Sequence, residues 1–190
     1  HFGCLDEVYK PRSWILNTLL KMMQERMYFE ASKAPAPVPL VTLFGASNET
    51  PEDDSLNAFD DRFALRDVVQ YIQDDDEFIW MLTHAAPDPT ATVTLDEIRQ
   101  AQKECSTVGG KPDALQMIVD IKHALSGKGV SISDRRWRIG LKVAKANAWL
   151  CGRTETEPDD VAALVPALWR DPGDKRTVEQ IVYQYAAPVA

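Results

Sequence analysis

The sequence predicts an α/β region followed by an all-helical region. Three observations carry this. Two short apolar stretches, FGCL and LVTLFG, read as buried strands on either side of a long helical pattern, SWILNTLLKMMQER. From about residue 73 onward, apolar positions recur at helical spacing. Gly127, Gly129 and Gly152 stand where those later runs should stop.

The elements follow in order. Residues 2–5 read as a short buried strand. Ile15, Leu16, Leu19, Leu20, Met22 and Met23 then share a helical face, with Pro11 and Ser13 where that helix should begin and Arg26 near its end. The prolines of ASKAPAPVPL mark an exposed loop or hairpin tip. LVTLFGAS, apolar and partly β-branched, suits a second buried strand. NETPEDDSLNAFDDRF reads as loop, then short helix, and ALRDVVQYI as a third strand. We therefore place one domain at 1–72 and a helical domain at 73–190.

In the helical part, DEFIWMLTHA is one candidate helix. Thr94 followed by Glu97 forms a capping box ahead of a helix reaching about 105. Residues 111–126 make another. In SDRRWRIGLKVAKANAWLCG the residues Trp137, Leu141, Val143, Ala144, Ala148 and Leu150 form an apolar stripe, with Ser133 as its cap. EPDDVAALVPALW, which Pro166 should bend or end, and RTVEQIVYQYA close the chain. Trp80, Trp137, Trp149 and Trp169 are expected in packing rather than on a ligand.

The chain has 190 residues, is 45% hydrophobic and carries a formal charge of -8. That balance argues against a general nucleic-acid surface, which needs a basic patch. Cys4, Cys105 and Cys151 are odd in number and far apart, so neither a zinc motif nor a disulfide framework is expected. A reducing, cytoplasmic setting is the easier reading. No apolar run is long enough to span a membrane. His1 in place of a methionine reads as a cut rather than a natural start.

Four places could carry chemistry. Asp6 and Glu7 end the first apolar run. Beyond a strand end both carboxylates can reach one crevice, where open α/β sheets bind ligands. Asp6 could hold Mg²⁺, and Glu7, longer by a methylene, could orient a water. A solvated strand end is the alternative. Asn48 follows the second strand and could donate to a phosphate oxygen or simply cap a turn. Arg62 and Arg66 of DDRFALR sit among acids, where local ion pairs are the default, although an arginine could instead reach a phosphate on a neighbouring subunit. Arg135, Arg136 and Arg138 open a helix, where cations oppose the dipole unless an anion is held there.

FGCLDEVYK, ILNTLLKMMQER, FGASNETPEDDSLNAFDDRF and ISDRRW, in this order, resemble the second half of a MoxR-type AAA+ ATPase, most nearly its RavA-like branch. The resemblance runs from about residue 2 to about 170. It implies an incomplete P-loop NTPase (AAA+) parallel sheet followed by an all-helical lid. It implies Walker B at CLDE, with Asp6 for Mg²⁺ and Glu7 for the attacking water, sensor 1 at Asn48, and an arginine finger at Arg62 with Arg66 as its partner. Sensor 2 falls at Arg135, with Arg136 as the rival. Glu25 and Arg26 would lie near a subunit boundary, and residues 26–41 would form a hairpin often facing the ring pore. ATP and Mg²⁺ are the implied cofactors. A homo-oligomeric ring of six subunits, a protein substrate and a von Willebrand A-type partner are the implied company, and the implied activity is ATP hydrolysis driving protein remodelling. A non-catalytic interaction module or nucleotide-binding-deficient homologue is the alternative.

One departure is plain. No GxxxxGK[ST] occurs in the 190 residues, and GGKPD at 109–113 lacks its spacing. We expect that phosphate loop, and a central strand with it, in an upstream part of a longer protein.

Overall fold

The computed structural model describes residues 1–10, 13–29, 33–51, 54–85 and 89–186. Pro11, expected ahead of the first helix, lies outside them. The chain divides into two compact units, His1–Ala64 and Leu65–Ala190.

In the first unit, β1 (Phe2–Leu5) leads into α1 (Ser13–Glu25), then β2 (Met27–Tyr28), β3 (Ala36–Pro37), β4 (Thr42–Gly45) and α2 (Asp54–Asp60). β1 pairs with β4 in parallel, from Phe2 opposite Thr42 to Leu5 opposite Gly45. A parallel pair needs a long crossover, which α1 supplies. The strands are less buried than their composition suggests. Alternate residues Phe2, Cys4 and Phe44 are exposed, while the opposite face carries Gly3, Leu5 and Leu43. β2 and β3 form a short antiparallel hairpin, tied to the helix end where the Val38 amide donates to the Arg26 carbonyl at 2.7 Å. Arg26 takes a left-handed backbone there, at φ 57°. Val8, Leu16, Leu56 and Phe59 are the buried core, with Leu19, Leu20, Met23 and Phe63 packed against it.

The second unit is helical. It contains α3 (Asp75–Thr83), α4 (Leu95–Thr107), β5 (Gly109–Gly110), α5 (Pro112–Gly127), α6 (Asp134–Leu150), β6 (Glu155–Thr156), a 3₁₀ helix at Pro158–Leu164, α7 (Val165–Leu168), a 3₁₀ turn at Pro172–Asp174 and α8 (Lys175–Tyr185). The Thr94–Glu97 capping box forms as expected, and Ser133 caps α6 by accepting from the Arg136 amide. α5 and α6 end alike. Gly129 (φ 80°) and Gly152 (φ 71°) take left-handed conformations past the helix, and the next residue donates back five positions, Val130 to Leu125 and Arg153 to Ala148. Pro166 sits in the first turn of α7, where its missing N–H costs no helical bond. The 3₁₀ helix stops just before it.

Three expectations need correction. Residues 64–72 form no strand. Val69 and Tyr71 are 93% and 92% exposed, whereas Val68 packs on the helical core and the Arg66 amide donates to the Pro166 carbonyl. β-branched composition does not make a strand without a ladder partner. In α6 the buried row is Arg136, Gly140, Ala144 and Ala148, and Leu150 is 74% exposed. Small residues let α6 approach the following segment closely: a Cβ on Gly140 would meet Leu164 at 3.2 Å. Trp80 is not core packing. It is 52% exposed on α3 and stacks on His84.

Candidate functional site

The site begins with how β1 and β4 leave the sheet. Beyond the last pair, Leu5 opposite Gly45, the Ala46 amide donates to the Leu5 carbonyl at 2.9 Å. The Val8 amide then donates to the Ala46 carbonyl at 3.0 Å. Asp6 and Glu7 are held between these two bonds, and Ser47 and Asn48 follow directly beyond the other strand. All three candidates, Asp6, Glu7 and Asn48, are exposed at one carboxyl edge.

Each is shaped locally. One Asp6 carboxylate oxygen accepts the Glu7 amide at 3.0 Å. Glu7 has φ 50°, a left-handed conformation that is costly for a residue with a Cβ. Its carboxylate accepts from the Lys10 ammonium at 2.6 Å, and Lys10 also lies 3.7 Å from Glu49, beside Asn48. The hydrogen bond to Glu7 raises the Lys10 pKa above its ordinary value. Lys10 therefore ties the loop after β1 to the loop after β4. The i,i+3 spacing of Glu7 and Lys10 was the available signal for it. Gly45 is required by close approach: a Cβ there would lie 3.0 Å from the Phe63 ring and 3.2 Å from Val8.

Arg62 belongs to the same unit. It follows α2, its amide donates to Phe59, and its guanidinium donates to the Ala58 carbonyl and, at 3.1 Å, to Gln24 of α1. Tyr9 donates its hydroxyl to the Asp60 carboxylate at 2.6 Å. Sequence reasoning missed this link, since 51 positions separate the partners.

Arg66, Arg135 and Arg136 belong to the second unit. Arg66 donates to the Trp169 carbonyl at 3.4 Å. Arg136 is 4% exposed and donates to the Ala167 carbonyl, so it knits the helices together. Arg135 is exposed at the first turn of α6. With Asp134 and Arg138 it lines an open cavity of about 550 Å³. Among the described residues no three His, Cys, Asp or Glu side chains converge as a metal cage. No helix among them is long and apolar enough to cross a membrane.

Comparison with known proteins agrees with this layout. Residues 1–103 match the model for the MoxR domain of MoxR–vWA–β-propeller ternary systems. This chain belongs to the MoxR family of AAA+ proteins. Residues 113–182 of this MoxR chain match an AAA lid domain, so an α/β parallel-sheet region followed by a helical lid is its architecture. Two uncharacterized proteins of Methanocaldococcus jannaschii are similar. One is 38% identical over 94% of this chain and 47% of its own length, the other 34% identical over 90% and 45%. The chain thus spans about half the length of these relatives. The crystal structure of a candidate ATPase from Cytophaga hutchinsonii has the same fold, with TM-score 0.71 at 17% identity over 100% of this chain and 66% of that one.

Proposed function

We propose that residues 1–190 supply the hydrolytic edge and the lid of an ATP-driven protein-remodelling machine. The observation that carries this reading is the parallel pairing of β1 with β4, from which Asp6-Glu7 and Asn48 emerge side by side. Asp6 would hold Mg²⁺ directly or through water. The donor set fits, because Mg²⁺ commonly takes only one or two carboxylates and keeps waters and phosphate oxygens for the rest. Glu7 would orient the attacking water and Asn48 would donate to the terminal phosphate. Bound Mg²⁺–ATP supplies the phosphoryl group to be transferred. Glu7 would exchange its bond to Lys10 for one to that water. Its left-handed backbone supports this assignment, since such strain gathers at functional sites.

In the same reading Arg62, with Arg66, serves the nucleotide of an adjoining protomer. Exposed Arg135 is the sensor 2 residue, and buried Arg136 supports the lid beneath it. The functional division is 1–72 for the core part and 73–190 for the lid. A homo-oligomeric ring of six subunits, a protein substrate and a von Willebrand A-type partner complete the proposal, the last because the matched domain description names such systems. The RavA-like affiliation rests on motif order alone. A cytoplasmic setting and the lack of a nucleic-acid substrate rest on cysteine usage and the charge of -8.

A second reading is favoured by one observation: the 190 residues contain no GxxxxGK[ST]. The backbone cradle for the β- and γ-phosphates is not among them. Taken alone, residues 1–190 are then a nucleotide-binding-deficient module. Titrating this 190-residue chain with a fluorescent ATP analogue tests that. We expect no saturation below about 1 mM, and an affinity near 1 μM would overturn it.

A further inference from the structure

We propose that the Tyr9 hydroxyl and the Asp60 carboxylate form a positioning strut between the strand end that carries Glu7 and the turn that carries Arg62. The inference rests on the assignments of Glu7 and Arg62 above, and it adds a connection between them. Tyr9 lies two residues past Glu7. Between them Val8 is 4% exposed and fixed through its amide to Ala46, so Tyr9 has little freedom to follow anything but the strand end. Asp60 is the last residue of α2, two before Arg62, and is 2% exposed. The 2.6 Å bond between them joins a phenol to a buried carboxylate, a charge-assisted type stronger than a neutral pair.

The turn after Asp60 is tight. The Arg62 amide donates to Phe59 and the Phe63 amide to Asp60. Phe59 is fully buried and meets Phe63 edge to face, with ring centroids 5.3 Å apart. Displacing Asp60 therefore displaces the base of Arg62. A shift at the strand end reaches Arg62 through the strut, so the state of one site sets where the arginine offered to the next site stands. Tyr9 is a positioning residue on this account, because it acts through Arg62.

The test uses the full-length protein and subunit mixing. Tyr9→Phe keeps the ring and removes the hydroxyl. The expected result is a kcat lowered about tenfold with KM for ATP nearly unchanged, smaller than the roughly hundredfold that a 1 Å misplacement can cost. Because the misplaced arginine serves the neighbour, mixing Tyr9→Phe with an equal amount of Glu7→Gln subunits should raise turnover per Tyr9→Phe subunit about fivefold, as half of its sites receive an intact arginine. A purely structural role for the bond would not produce activation by inactive subunits. Arg62→Ala mixed with Glu7→Gln is the reference. If that pair regains activity and the Tyr9→Phe mixture does not, the strut is overturned. If the reference pair stays silent at every ratio, the Arg62 assignment falls and the strut falls with it.

Discussion

The Val8 amide donates to the Ala46 carbonyl at 3.0 Å, and this bond joins the two strand ends from which Asp6, Glu7 and Asn48 emerge. It makes the loops after β1 and β4 one piece. Asp6 and Glu7, one and two residues beyond β1, and Asn48, three beyond β4, are brought to one edge by main-chain geometry. Such an edge can hold polar groups at fixed separations while leaving them exposed to a ligand.

The edge depends on what cannot fit beside it. Gly45→Val would press a branched side chain into Phe63 and Val8, where even a single Cβ meets neighbours at 3.0 and 3.2 Å. Overpacking of this kind costs about 1–3 kcal/mol. Urea unfolding of the 190-residue chain should show a lower midpoint for the first unit, and an unchanged midpoint would contradict the packing described.

In the second unit Asp160 is a buried carboxylate. It is 0% exposed and accepts from Asn147 at 2.8 Å, from the Glu157 amide at 2.8 Å and from Arg153. Asp160→Ala would leave these half-buried donors without their acceptor, at a cost of about 3 kcal/mol, the low end for breaking a buried pair because Arg153 still meets water. Denaturant unfolding followed by tryptophan fluorescence should show this loss. A change within experimental error would mean that the network carries no stability.

Much of the architecture was legible because its signals are local. Thr94 and Glu97 are one turn apart, Ser133 sits directly ahead of α6, and FGCL and LVTLFG announce the two paired strands. The third strand failed because ALRDVVQYI has strand composition but finds its partners in Pro166 and Lys175, about a hundred residues on. The α6 stripe was misplaced because Gly140 and Ala144 are buried for their smallness, which hydropathy does not reward. Asp6, Glu7 and Asn48 could be paired only through family motifs. The Tyr9–Asp60 bond had no local signal at all.

The second unit should also weaken in acid. A hydrogen bond from Lys175, with help from the Val68 amide, holds Asp67 below its ordinary 3.8. The Thr94 amide and hydroxyl lower Glu97, and Lys111 lowers Glu157, both from 4.5. Carboxyls with depressed folded values release more protons in the native than in the unfolded chain. Their contribution is therefore complete above about pH 4.5 and lost as pH falls through the folded values. Urea midpoints measured at pH 7 and at acid pH should diverge, and Lys111→Met with Lys175→Met should narrow the gap. An equal gap in that variant would show that these pairs do not contribute.

The most direct measurement is steady-state phosphate release by the full-length protein carrying Glu7→Gln, alongside its nucleotide binding. If the edge of β1 and β4 is the hydrolytic centre, binding is retained and release falls by about a thousandfold, the scale for removing a group that acts on the transition state. Release at the wild-type rate, with binding intact, would contradict the account.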